Sequence, residues 1–132
     1  MADINERANK RYLKIFRKYL KDKGLSEKTI RKHTSNADFY LNVFLPRYER
    51  SMEDGSSFSA LYDFFDYFFI RKCIWSTPYT MRRTAASIKK FYKCMYESQL
   101  ISEGDYLEVK DTFRGYLSEW CEDCDAFNEG EE

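Results

Sequence analysis

The stretch TMRRTAASIKKFYKCMY, residues 80–96, decides the fold, because its residues divide into two faces of one helix. Apolar residues recur at spacings of four and three, a pattern typical of a helix that packs one side against a core. They are Met81, Ala85, Ile88, Tyr92 and Met95. The opposite side carries one basic row of Arg82, Lys89 and Lys93, a second of Arg83 and Lys90, and the small Ala86 between them. The stripe of apolar residues predicts that this side of the helix is buried. The basic side predicts contact with an anion, with an ordinary solvated surface as the alternative.

Composition favours one helical domain around an aromatic core. The chain has 132 residues, enough for a single core, and 18% of them are aromatic. Only 2 prolines and 5 glycines interrupt it, which favours long helices over β-structure. We therefore predict an all-α fold, a compact bundle of four to five helices. The predicted domain spans residues 1–124, and residues 125–132 are expected to form a frayed acidic tail.

The same sequence gives an expectation about the compartment. No apolar run approaches the roughly 18 residues that a membrane span needs. The N-terminus, MADINERANKRY, lacks the apolar core of a signal peptide. We expect a cytoplasmic protein without membrane contact.

The net charge of zero hides a strong asymmetry along the chain. Residues 1–50 carry 13 Lys and Arg against 6 Asp and Glu, whereas residues 101–132 carry 2 against 11. A basic body with an acidic end indicates an anionic partner, and the acidic end can also screen the body. A solvated charged surface would give the same composition.

Further helices are expected at residues 5–22, 25–45 and 58–73, the opening helix at 78–100, and a fifth from Ser102. Ser26 and Thr77 are candidate N-caps, Pro78 suits the first helical position, and Pro46 marks a stop. The third helix is apolar nearly all round, which predicts that it lies at the centre. The first helix carries a basic ridge of Arg7, Arg11, Lys14, Lys18 and Lys21.

The second helix combines a buried row with a polar side. Ile30, Thr34, Ala37, Leu41 and Phe44 form the row. Lys28, Lys32, Ser35, Phe39 and Asn42 face the other way, with Arg31 beside them. Basic and hydroxyl groups around an aromatic ring suit a nucleic-acid face, although Phe39 packing on another helix is the alternative. His33 lies at the edge of the row, where we expect a packed or half-exposed ring.

The sequence predicts no catalytic or metal chemistry. Cys121 and Cys124 have CxxC spacing, but Cys73 and Cys94 form no second pair, so no metal site and no cofactor are expected. Neighbouring acids would oppose a thiolate, so reduced cysteines are expected. There is no glycine-rich phosphate loop, GxSxG or HExxH. We predict that the chain is not an enzyme on its own.

Two segments resemble the N-terminal core-binding (SAM-like) domain of tyrosine recombinases and phage integrases. LSEKTIRKHTSNADFYLNVFL is similar to an early helix of that domain, and TMRRTAASIKKFYKCMYESQLI to a later one. The resemblance covers residues 5–100 and implies a helical bundle that clasps one side of duplex DNA. The implied DNA contacts are Lys28, Arg31, Lys32, Ser35, Arg82, Arg83, Lys89, Lys90 and Lys93. The family's catalytic domain, with its arginines, histidine and tyrosine nucleophile, has no counterpart here.

The sequence thus supports two hypotheses. The first is a DNA-binding module for double-stranded DNA, either an arm of a longer recombinase or a stand-alone relative without DNA cleavage. The second is a helical protein-interaction or regulatory module whose charges are only solvated. In either case the acidic end can contact a basic partner or cover the chain's own basic side. The oligomeric state is left open.

Overall fold

The computed structural model describes residues 2–130, with side chains from residue 5, and it is a bundle of five helices. The helices are α1 (Ala2–Asp22), α2 (Glu27–Asp38), α3 (58–72), α4 (Pro78–Glu97) and α5 (Glu103–Gly130). No β-strand occurs within residues 2–130. The predicted all-α bundle is confirmed.

The helix starts follow from local capping. The Ser26 hydroxyl accepts a hydrogen bond from the Thr29 amide at 3.2 Å, which caps α2. At α4, the Thr77 hydroxyl accepts from the Thr80 amide at 3.0 Å and the Thr80 hydroxyl accepts from the Thr77 amide at 2.9 Å. Pro78 follows in the first turn, where no backbone donor is needed. Both predicted N-caps are confirmed.

The second helix, predicted over residues 25–45 with Pro46 as its stop, ends close to the predicted place, but its last turns are not α-helical. The chain continues from α2 as a π-helical segment, Phe39–Phe44, and then as a 3-10 turn, Leu45–Tyr48. Pro46 lies in the first turn of that 3-10 segment, so its missing N–H breaks no hydrogen bond. The turn ends at Glu49, whose φ of 55° is left-handed.

Helix α3 consists of Phe58–Asp63, a π-helical segment Phe64–Phe68, and Phe69–Lys72. Its π segment packs against the π segment that follows α2: the Phe44 ring centroid lies 5.0 Å from that of Phe64 and 5.2 Å from that of Phe68. This aromatic cluster forms the centre predicted for the third helix.

Helix α4 is packed by three neighbours, α1, α2 and α5. Its five stripe residues are at most 2% exposed, as the spacing predicted. They are Met81, Ala85, Ile88, Tyr92 and Met95. The Phe91 ring adds an edge-on contact to Phe16 of α1, with centroids 5.4 Å apart. Burial on this side fixes the rotation of α4 and turns its basic rows toward solvent.

The prediction of a frayed tail is wrong for residues 125–130, because α5 continues to Gly130. Its last turns are anchored to the bundle. The Asn128 side-chain amide donates to the Ser76 carbonyl at 3.0 Å, and the Arg71 guanidinium lies 5.2 Å from the centroid of the Phe127 ring. Residues 131 and 132 lie outside the described part of the chain.

Candidate functional site

A groove with a volume of about 710 Å³ runs along the surface where α2 packs on α4, and we call it the α2–α4 groove. Its cations are Lys32 from α2 and Arg82 and Arg83 from α4, and no carboxylate among the described residues lines it. All three side chains are exposed. The packing of α2 on α4 therefore brings two separately predicted basic rows to one concave surface.

A polar bridge joins the two walls at the floor of this groove. The Ser87 hydroxyl lies 2.7 Å from His33 Nδ1 and accepts a hydrogen bond from the Asn36 side-chain amide at 3.0 Å. His33 is half-buried, as predicted for a packed ring. Burial lowers the pKa of His33, and the charges of Lys90 and Arg83 lower it further. The ring is therefore neutral at pH 7, although it stands among cations.

A second groove, with a volume of about 400 Å³, lies on the other flank of α4; we call it the α4–α5 groove. Arg82 and Ala86 line both grooves, so they form the ridge between them. Lys89 joins Arg82 on the α4 wall, and α5 contributes Lys110 and Arg114. These two are the only basic residues of the stretch 101–132, and both lie on the side of α5 that meets α4.

The nine candidate contact residues are all exposed. The structure brings four of them into the α2–α4 groove: Lys32, Ser35, Arg82 and Arg83. Lys89 lies in the α4–α5 groove. Lys28, Arg31, Lys90 and Lys93 are exposed on the same two helices but line neither groove.

The positive charge of α2 and α4 is not neutralised by ion pairs. Within the part of the chain that the structure describes, the ion pairs are Arg17–Glu27, Lys18–Asp22, Arg50–Asp63 and Arg114–Asp111. None of them includes a candidate cation of α2 or α4. An anion that approached these helices would therefore not have to displace a carboxylate from them.

Two aromatic side chains stand at the mouth of the α2–α4 groove. Trp75 is 52% exposed and Tyr79 is 67% exposed, and both line the groove. The Trp75 ring meets Phe39 edge-on at 5.7 Å, and the Arg83 guanidinium lies 5.5 Å from the centroid of the Tyr79 ring. Phe39 itself is half-buried against α3 and Trp75, as in the packing alternative of the sequence analysis.

Sequence reasoning missed Trp75, Tyr79, Lys110 and Arg114. A signal for the first pair was present, because large aromatics in the polar linker IWSTPYT stand before a capped helix start. For Lys110 and Arg114, the i,i+4 spacing of two cations in an acid-rich helix was the only signal. Their closeness to Arg82 depends on helix packing.

The basic ridge of α1 stands apart from both grooves. Its residues are exposed, and none of them lines either groove. They are Arg7, Arg11, Lys14, Lys18 and Lys21. Lys18 pairs with Asp22 on its own helix at 3.0 Å. The basic rows of three helices therefore do not form one groove system.

The four cysteines and the two aspartates of α3, Asp63 and Asp66, lie in surroundings typical of structural residues. All four cysteines are buried, and burial raises the pKa of the Cys73 and Cys94 thiols to about 11. Asp63 pairs with Arg50 at 3.0 Å. Burial raises the pKa of Asp66 to about 7, and the neighbouring Asp123 adds to the increase. No cluster of three or more potential metal ligands occurs among the described residues.

Comparisons of the chain with protein-family models, with curated proteins and with solved structures give no match. Between residues 2 and 130, no helix has the length and apolar character needed to cross a membrane.

Proposed function

We propose that this protein binds duplex DNA through α2 and α4, with phosphates in the grooves on either side of α4. The observation that carries the proposal is the set of cations around the Arg82–Ala86 ridge, of which only Arg114 has a carboxylate partner, Asp111, among the described residues. Phosphate contacts dominate DNA affinity, and Arg and Lys are their usual donors.

The shape of the surface supports the same function. Arg82 serves both grooves, while Ala86 keeps the ridge low, so that a phosphate chain can approach the helix backbone. Lys110 and Arg114 extend the charge across the α4–α5 groove. The cations thus follow a path across α4, which suits a repeating polyanion better than a single small anion.

The resemblance to the core-binding domain of tyrosine recombinases supports the same proposal. It implies contacts from the same two helices, α2 and α4, and all nine implied residues are exposed. On this basis the protein holds DNA without cleaving it, as an arm of a recombinase or as a partner of one. Its expected place is the cytoplasm.

A protein-interaction module is the second candidate, and one observation favours it. Ile74 in the α3–α4 linker is 100% exposed, beside the half-exposed Trp75. An exposed apolar tip of this kind is also typical of a docking site for another protein. The two candidates differ in their dependence on charge, because DNA binding requires the α4 cations.

Fluorescence anisotropy of a labelled duplex of about 30 base pairs tests the proposal. The variant with Arg82, Arg83, Lys89 and Lys90 replaced by Gln is expected to lose binding and to keep the helical circular dichroism of the parent. If this folded variant binds as tightly as the parent, the assigned face is wrong.

A further inference from the structure

We propose that the α2–α4 groove holds an unpaired nucleotide of the bound DNA, with its base stacked on Trp75 and Tyr79. This inference rests on the proposed DNA binding and names the form of DNA that the site takes. It predicts a preference for DNA with an extrahelical or single-stranded base over fully paired duplex.

The exposed rings are the first observation. The chain has two tryptophans: Trp120 is fully buried, whereas Trp75 is 52% exposed at the groove. Trp75 contacts Phe39 edge-on and Tyr79 contacts the Arg83 guanidinium, while both side chains keep more than half of their surface exposed. Exposed aromatic faces beside cations are the usual platform for unstacked bases.

The floor of the groove is the second observation. His33 and Asn36 line the bottom of a concave site, where the buried Ser87 hydroxyl holds His33 Nδ1 and the Asn36 amide nitrogen. The groups left to face a ligand are the second ring nitrogen of His33 and the amide oxygen of Asn36. Such groups can donate to and accept from the edge of a base. In a paired duplex the Watson–Crick edge of each base is occupied by the partner strand, so only an unpaired base can present that edge to the floor.

The size of the groove agrees with one small occupant. Its volume of about 710 Å³ lies within the range of pockets for small molecules, roughly 300–1,000 Å³. The DNA duplex is too wide to enter such a pocket, but one nucleotide can do so while Lys32, Arg82 and Arg83 hold its phosphates.

The α4–α5 groove provides an internal comparison. It has cations, Arg82, Lys89, Lys110 and Arg114, but its aromatic residue Phe113 is only 7% exposed. It can hold phosphates and offers no open ring for stacking. Both grooves thus carry positive charge, but of the two only the α2–α4 groove is lined by exposed aromatic side chains.

The experiment compares a fully paired duplex, the same duplex with one extrahelical base, and the single strand. Anisotropy gives the affinities, and tryptophan emission reports stacking, because Trp75 is the accessible tryptophan and Trp120 is buried. We expect DNA with an unpaired base to bind about tenfold more tightly than paired duplex and to quench the emission. Trp75→Phe should remove the quenching.

Tyr79→Ala should reduce the preference for the unpaired base severalfold, because it removes one of the two exposed rings of the groove. Tyr67→Ala is the matched control, because Tyr67 is 49% exposed and lines neither groove. Equal binding of all duplexes without quenching would overturn the inference and leave DNA binding intact. Absence of binding to every DNA would overturn the proposed function as well. Binding to the single strand alone would support the groove assignment and contradict duplex binding.

Discussion

The basic ridge of α1 and the basic side of α4 carry comparable charge, yet they are different surfaces. Both consist of exposed Lys and Arg at helical spacing. The residues of the α1 ridge line neither of the two grooves described above, whereas α4 lies between these grooves, one of which has exposed aromatics. A row of positive charge on one helix therefore does not define a binding site. The neighbouring helices decide whether the row becomes a concave surface.

This difference predicts unequal effects of equal charge removal. The α4 variant, with Gln at positions 82, 83, 89 and 90, should lose at least about a hundredfold in duplex affinity, because each phosphate contact is a charge-assisted hydrogen bond. The matched α1 variant, with Gln at positions 7, 11, 14 and 21, should lose less than about threefold. Both affinities are measured by anisotropy at the same salt concentration. Equal losses would show that the charge acts as a diffuse field and that the grooves have no special role.

Lys110 and Arg114 extend the comparison to the α4–α5 groove. Replacing both by Gln should weaken duplex binding about tenfold and reduce the slope of log affinity against log salt by about 2, since two phosphate contacts are removed. Both side chains are away from the resembling segments, so the resemblance alone predicts no effect. Lys10→Gln with Lys14→Gln on α1 serves as the control with the same charge change. An unchanged slope would remove this groove from the interface.

The pH dependence of DNA affinity should show whether the phosphates bind in the α2–α4 groove or on the α1 ridge. Burial and the charges of Lys90 and Arg83 lower the pKa of His33 in the free protein. A bound phosphate favours the protonated ring and raises this pKa, so binding takes up a proton. Affinity should rise about three- to tenfold as the pH falls from about 7 to about 5.5. His33→Gln should flatten the profile; a parent profile that is already flat would place the phosphates away from His33.

The smallest effect is expected from the acidic end of α5. Gln at positions 122, 125 and 129 should tighten duplex binding about twofold at low salt, because negative charge near the grooves is removed and screening limits the effect at higher salt. Substitution is preferable to deletion, since Phe127 and Asn128 anchor this end of the helix to the bundle. Unchanged affinity at low salt would contradict screening of the basic side by this segment.

The predictable part of the structure was the part encoded by local chemistry. The spacing of the α4 stripe predicted its burial, and the hydroxyls of Ser26 and Thr77 predicted the helix starts. Pro46 marked the end of the second helix to within a few residues, but it gave no sign of the π-helical turns before it or of the 3-10 turn in which it lies. The acidic end of α5 misled. Its composition indicates fraying, whereas tertiary contacts of Phe127 and Asn128 hold it helical.

For the candidate site, the sequence predicted which residues of each helix are exposed, but not how the helices combine them into grooves. The exposure of the nine candidate residues followed from helical periodicity. Their division between grooves did not, since it depends on how α2 and α5 pack against α4. The same holds for Trp75 and Tyr79, whose exposure is set by the position of the α3–α4 linker.

The salt dependence of duplex binding tests the central claim most directly. The parent protein is titrated into a labelled duplex of about 30 base pairs at several salt concentrations between about 50 and 200 mM. With four to six phosphates bound around α4, the slope of log affinity against log salt should lie between about −3.6 and −5.4. Absence of binding at the lowest salt, by protein shown to be folded by circular dichroism, would contradict the account.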